Sequence, residues 1–354
     1  MDLPALCLAT FARVPTLPGF RPMTAPSSTS TARRAWLRPL GFIAFAIVAL
    51  YAFAWIFDFA ARKDLRSKAH WILSLQGGHY DFVVLGTSRP YLGVDVARLE
   101  KRIQGHGINL SLDGAGYPEQ LLALRLFLQK NEIRQLLLDA ALPNFDSHSM
   151  DYPFHDYEYL PYHGIPEIDA ALRSECGIRA ELWKYVPFWK NAEFNSKIGP
   201  IQLYTWCKSP FDANARVAEF DAHGTRLVDR PFHLRSELKP VRWTIEARQQ
   251  AALIDILELA KSKGIRVTMI LSPEWQNWSR LQLNRDDVLA NCRKIAADHG
   301  IDFLVFDDLP FLNDTGYFID SNHLNAKGAA LYTDALAQKL QDSALHHSPI
   351  ATSP

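Results

Sequence analysis

The chain has 354 residues, 48% of them apolar and 21% charged, with 38 basic side chains balanced by 38 acidic ones. That balance excludes a disordered chain, a collagen-like repeat and a coiled coil, and it leaves no global basic field to hold nucleic acid. Four cysteines in this length exclude a disulfide-scaffold mini-protein.

Residues 1–35 are rich in Pro, Ser, Thr and Ala, a composition that buries too little surface to offset chain entropy, so they are expected as a disordered tail. Met23 lies within it as a second candidate start. Leu40 to Phe57 then runs for eighteen residues without a charge. With Trp36 and Phe59 as flanks, a helix over 36–59 spans ~30 Å of hydrocarbon. Trp36 and Trp55 fall near the two interfaces, as aromatic belts do. A cleaved signal peptide would carry a shorter apolar core of ~7–15 residues and a small-residue cleavage site after it. Here the A-x-A at Ala52 to Ala54 lies inside the run. The segment therefore reads as an uncleaved anchor of the cytoplasmic membrane, with the main domain on the periplasmic or outer side. Cys7 would then be cytosolic, while Cys176, Cys207 and Cys292 would face an oxidising space. A Cys176–Cys207 bond and three free thiols both remain open.

Residues 70–342 alternate strands with helices. Strands are expected at Asp81–Leu85, Ile108–Leu112, Arg134–Leu142, Ile265–Leu271 and Ile301–Phe306, from short apolar runs, the first ending in Gly-Thr-Ser and the fourth stopped by Pro273. Helices are expected at Val94–Ile103, Pro118–Asn131, Ile245–Gly264, Asp286–Gly300 and Asn325–Gln341, two of them closed by glycine. This order predicts an α/β fold: a three-layer, doubly wound parallel sheet. An irregular insertion, about 144–240, interrupts it, with one helical stretch near Ile168–Tyr185. Residues 343–354 are expected as a flexible tail.

Ser88 follows the first strand in Leu85-Gly86-Thr87-Ser88-Arg89-Pro90. Ligands of open α/β sheets bind beyond the carboxyl ends of the strands, where such a hydroxyl projects. A serine that merely caps the next helix is the plain alternative. Of the twelve histidines, only His323 has an aspartate three residues before it, Asp320. That carboxylate could fix the imidazole tautomer, leaving the other nitrogen to take the Ser88 proton. Alternatively, Asp320 and Asn325 are turn and capping residues. Serine attack on a carbonyl needs donors for the oxyanion. Gly114 after strand two and Asn144 after strand three are the candidates, and either also fits plain turn chemistry.

Taken together, GTSRPYLGVD, INLSLDGAGYPEQ and FIDSNHLNAKGAALY, with the weaker ILSPEW, resemble the SGNH (GDSL-type) hydrolase superfamily. The likeness is nearest to its membrane-anchored cell-envelope branch, which includes the lipoteichoic-acid D-alanylation and alginate O-acetylation proteins. It covers about 80–145 and 245–340 but not the insertion. It implies Ser88 as nucleophile, Asp320 and His323 as its partners and Gly114 as an oxyanion donor. The serine block here is GTS without the usual Asp before Ser, and the usual Gly-x-Asn-Asp block is absent. The expected activity is that of a serine esterase or O-acyltransferase acting on acyl esters of envelope glycans or lipids, without a cofactor. A non-catalytic scaffold binding glycan or a membrane acyltransferase partner is the second expectation.

In the insertion, Asp146, His148, Asp151, His155, Asp156, Glu158 and His163 share one loop with Tyr152, Tyr157, Tyr159 and Tyr162. The acids and histidines are metal-ligand types, although their spacing fits no familiar metal motif, and no bound metal is expected. Glycan stacking by the tyrosines and an ordinary surface loop are the other readings. Trp183, Trp189, Trp206, Trp275 and Trp278 are expected in the core or at its rim.

Overall fold

The computed structural model describes residues 29–64, 67–146, 154–194, 197–208, 219–234 and 236–347. The chain falls into two compact units, residues 1–49 and 50–354. In chain order the elements are α1 (Thr29–Ala61), α2 (Lys68–Ser74), β1 (His79–Leu85), α3 (Ser88–Gly93), α4 (Val96–Ile103), β2 (Gly107–Asn109), α5 (Tyr117–Leu128) and β3 (Glu132–Asp139). The insertion contributes α6 (Asp156–Tyr159), α7 (Pro166–Cys176), α8 (Ile178–Tyr185), α9 (Trp189–Glu193) and α10 (Pro200–Lys208). Then follow α11 (Ala247–Ser262), β4 (Arg266–Leu271), α12 (Gln276–Ser279), α13 (Arg285–His299), β5 (Asp302–Val305) and α14 (Ala326–His347).

All five strands are parallel, in the order β2-β1-β3-β4-β5. Helical crossovers are what parallel neighbours require. The strand alternation decides which helix covers which face. Val83, Leu85, Leu136, Leu138, Met269 and Leu271 pack with α5, α11 and α13 through Leu124, Phe127, Leu253, Ile256 and Val288. Phe82, Val84, Leu137 and Ile270 face the other way, onto Val96 and Leu99 of α4 and Tyr332 and Leu336 of α14. The sheet is thus buried on both faces, which explains the near-continuous apolar strands. Each fully buried side chain of this size contributes about 1.5–3 kcal/mol.

Helix boundaries follow local chemistry. Asp95 caps α4, accepting from the Arg98 N–H at 3.0 Å. Gly300 closes α13 in the left-handed region at φ 64°, where glycine carries no Cβ penalty. Within α1, Leu37–Ala61 is long and apolar enough to cross a membrane and is almost wholly unburied, unlike the core helix of a globular domain.

Several boundaries differ from expectation. α1 starts at Thr29, inside the expected tail, and α14 runs on to His347, five residues past 342. The rest of both tails, with Met23 and Cys7, lies outside the described residues. The expected helix at Ile168–Tyr185 is two helices, broken at Gly177 with φ 57°. Among the described residues, the insertion is mostly short helices from Asp156 to Lys208 and irregular chain over 219–234 and 236–240. The helices build a core of their own, with Trp183, Tyr159, Leu160, Ile168 and Leu172 packed on Leu122 and Leu126 of α5. Of the two open readings of the cysteines, the structure has three free thiols, Cys176, Cys207 and Cys292, and no Cys176–Cys207 bond. The Cys176 thiol instead donates to Asp156 at 3.8 Å, which holds it in the insertion's own packing.

Gly86, after β1, has no positive φ, so its need is space rather than a tight left-handed turn. A Cβ there would lie 2.6 Å from the Asp139 Cβ and 2.6 Å from the Pro90 ring. Gly86→Ala is therefore expected to cost about 1–3 kcal/mol through overpacking. A lowered denaturant midpoint at unchanged slope would register it; a wild-type midpoint would refute the close approach.

Candidate active site

The order of the sheet reverses between β1 and β3, so a crevice opens beyond their carboxyl ends. Ser88 begins α3 there, directly after β1. Its neighbour Arg89 is buried and fixes this turn from below. The Arg89 guanidinium donates to the Ser272 carbonyl and faces Glu274 at 3.8 Å. Fully buried Asp139, at the end of β3, accepts from the Ser272 N–H at 3.1 Å and its hydroxyl at 2.7 Å. The loops after β1, β3 and β4 are thereby tied together through groups that cannot be solvated elsewhere.

From the far end of the chain, His323 enters the same crevice. The loop before α14 is pinned by an Ile319 N–H to His323 C=O bond of 2.9 Å. Asp320 accepts from His323 Nδ1 through Oδ1 at 2.8 Å and Oδ2 at 2.9 Å. The same carboxylate accepts the backbone N–H groups of Asn322 and His323 at 2.9 and 3.0 Å. Burial alone would raise the Asp320 pKa. The His323 contact and the two amides outweigh it and hold the carboxyl below the usual aspartate value. With Nδ1 donating to Asp320, Nε2 is left to accept the Ser88 hydroxyl proton, and the two atoms are 2.7 Å apart. Asn325 does cap α14, accepting from the Lys327 and Gly328 N–H groups at 3.0 Å each. Asp320 thus bonds both the turn amides and the imidazole.

The candidate oxyanion donors come to the same place. Past β2 the pairing continues, with the Leu112 N–H donating to the Gly86 carbonyl at 3.0 Å. That bond sets the Asp113-Gly114 turn beside the serine loop, and Gly114 sits at φ 71°. Asn144 lies in a single 3-10 turn, Leu142–Phe145, after β3. Its side-chain nitrogen is buried without a well-formed hydrogen bond, although the Tyr117 hydroxyl stands close by. Both residues line one cavity of about 760 Å³ together with Ser88 and His323.

The rest of the cavity wall carries residues that the sequence did not single out as site residues, among them Lys68, Glu119, Tyr91 and Arg226. Lys68 is nearly buried. It donates to the Gly224 carbonyl and lies 4.5 to 4.8 Å from the ring centres of Trp71, Tyr91 and Phe220. Burial moves its pKa well down. His155 packs against the Gly114 turn, where a Cβ would meet the ring at 3.6 Å. Its Nδ1 and its backbone N–H both donate to Glu119 Oε2, at 2.8 and 3.0 Å.

Among the described residues, the acidic and imidazole groups of the insertion serve in hydrogen bonds and as turn acceptors. His163 pairs with Asp169 at 3.0 Å, Glu158 accepts from Ser67 and Ala69, and Asp146 accepts from the Thr244 N–H. Among the described residues no group of three or more such side chains could hold a metal ion. His148, Asp151 and Tyr152 lie outside the described residues. Tyr157 lines the cavity, whereas Tyr159 is buried in the insertion core.

Compared with known protein families and with curated proteins, the chain matches none.

The His155–Glu119 pair makes stability depend on pH. Burial alone would lower the imidazole pKa, but the charge and hydrogen bond of Glu119, with smaller help from Glu158 and Asp113, push it up to about 9. An imidazole in the unfolded chain titrates near ~6.5. The folded state holds the proton more tightly, so the gain is complete below that value and lost as pH rises through about 9. Thermal melts of the wild type should weaken across this window, and Glu119→Gln should be less stable at neutral pH with the slope gone. A melting temperature in the variant that keeps the wild-type slope would refute the pairing.

Proposed function

We propose that this chain is a membrane-anchored serine hydrolase or O-acyltransferase of SGNH type, which forms an acyl-enzyme on Ser88. The observation that carries the reading is the hydrogen-bonded series Ser88 Oγ, His323 Nε2, His323 Nδ1, Asp320 at 2.7 and 2.8 Å. The three-layer arrangement of SGNH proteins is consistent with a parallel sheet that buries both faces. In the first half-reaction, Ser88 Oγ attacks the ester carbonyl while His323 Nε2 takes its proton. The charge on the tetrahedral oxygen is met by the Gly114 N–H and the Asn144 amide, aided by the nearby positive charge of His155. The carbon–alkoxyl bond then breaks, and His323 returns the proton to the departing alcohol. In the second half, water or a sugar hydroxyl gives its proton to His323 and attacks the Ser88 ester; the bond to Ser88 Oγ breaks as Oγ takes that proton back from His323. Water yields an acid and makes the protein an esterase; a sugar hydroxyl yields a new ester and makes it a transferase. Asp320 keeps the imidazole in the required tautomer and supports the imidazolium of each intermediate.

The apolar stretch Leu37–Ala61 supports single-pass membrane anchoring; on this proposal it lies in the cytoplasmic membrane, with the α/β domain on the outer side. Acyl esters of envelope glycans or lipids are the substrates within reach of such an anchor.

A fluorophosphonate probe tests the reading on the full chain. Wild type should label at Ser88 and Ser88→Ala should not. Asp320→Asn should lower the labelling rate by about 10⁴-fold, since the amide favours the wrong tautomer. A folded wild type that takes up no label would instead favour the non-catalytic scaffold.

A further inference from the structure

The insertion leaves a set of large apolar side chains in the open. On α8 to α10 and the turn between them these are Tyr185, Val186, Trp189, Ile201, Tyr204 and Trp206, with Tyr185 and Tyr204 over 60% exposed. Soluble surfaces rarely leave such patches uncovered. The patch adjoins the last turns of α1. The Tyr51 hydroxyl donates to the Tyr185 carbonyl at 3.0 Å. Phe57 packs on Phe188 at 5.7 Å between ring centres, and Phe59 meets Trp206 edge-on at 5.3 Å. The apolar surface of the insertion therefore continues that of α1, whose Phe53 and Trp55 are themselves exposed.

Helix rise gives the depth. Tyr51 precedes Asp58, the carboxylate near the end of the apolar segment, by seven residues, about 10 Å of helix. The level of Tyr51 is thus inside the hydrocarbon of any bilayer that Leu37–Ala61 crosses, and Tyr185 is bonded at that level. The one carboxylate of this apolar stretch agrees. Asp58 is met by Lys190 of α9 at 2.6 Å, both side chains largely buried. A charge held at a membrane boundary needs such a partner, and here the insertion supplies it. Around the patch, Lys184 and Lys208 reach past the rings of Tyr185 and Tyr204, 5.5 and 5.9 Å from their centres. Tyrosine and tryptophan with flanking lysines are the side chains that suit the headgroup boundary.

We propose that this face of α8–α10 is immersed in the leaflet on the domain's side, so that the protein holds the bilayer by a second, monotopic contact beside α1. The proposal rests on α1 being a membrane span. Apolar faces that lie in the interface in this way sink about 5–10 Å beneath the headgroups. A lipid surface is the occupant because the patch runs without a break into a surface that is itself lipid-facing.

The test uses the full chain reconstituted into phosphatidylethanolamine/phosphatidylglycerol vesicles, with photoreactive p-benzoylphenylalanine placed singly at Trp189, Tyr204, Phe42 or Lys263. Phe42 reports the span, and Lys263 follows α11 at the opposite end of the strands from the cavity. After irradiation, mass spectrometry should find lipid adducts at Trp189 and Tyr204 in yields comparable to Phe42, and none at Lys263. Adducts at Phe42 without any at Trp189 or Tyr204 would overturn the immersed face and leave the span standing. Absence at Phe42 as well would overturn both. In native membranes, a protein adduct at Tyr204 in place of lipid would also overturn it, in favour of a protein partner on this face.

Discussion

Ser88 Oγ and His323 Nε2 come within 2.7 Å although 235 residues separate them. Closing so long a loop carries an entropic cost that grows only slowly with length, but a hydroxyl–imidazole contact alone could not hold it closed. The sheet does so. In a parallel sheet, every strand delivers its following loop to the same edge, so the turns after β1, β2, β3 and β4 meet there. Arg89, Asp139 and Ser272 then lock three of those turns by buried polar contacts. Removing one partner would leave another buried group unsatisfied, which costs more than the bond itself contributes. The precision at Ser88 is thus inherited from layers of packing beneath it.

Much of this was readable from residues alone, and for a physical reason. Strands buried on both faces must be short apolar runs, so β1, β3 and β4 announce themselves. The Asp320-to-His323 spacing is local, and so is the glycine turn at Gly114. By contrast, α3 was missed because SRPYLG has neither a cap side chain nor apolar periodicity; its residues are held by burial against the sheet and α14. The expected strand Ile108–Leu112 keeps its ladder bonds to β1, yet only its first part is regular, and beyond it the Ser111 N–H donates to the Asn109 side chain at 2.9 Å. Lys68, Glu119 and the role of His155 carried no local sign. Glu119 looks like any carboxylate in the first turn of a helix, and its partner lies 36 residues further on.

The insertion illustrates a second limit of pattern reading. Its helices are four to eleven residues long, too short to show a dependable period and too short to be stable alone. They exist because α5 offers Leu122 and Leu126 on its outer side, and because α1 offers Phe57 and Asp58. An element whose order comes from its neighbours cannot be recognised without them. The same dependence makes the insertion a bridge: it touches the end of α1 on one side and lends His155 and Tyr157 to the cavity on the other.

Only Arg62 to Ser67 connects α1 to α2, and the first residue of α2, Lys68, already lines the cavity. At full extension that connector reaches about 20 Å. On the proposed reading, a catalytic centre leashed so closely to a bilayer would sample a thin slab above it and little else. Encounter with the proposed substrates would then be a search in two dimensions, governed by how many ester-bearing molecules occupy each patch of membrane. Spreading those molecules with inert lipid would slow turnover, whereas adding buffer would leave it alone.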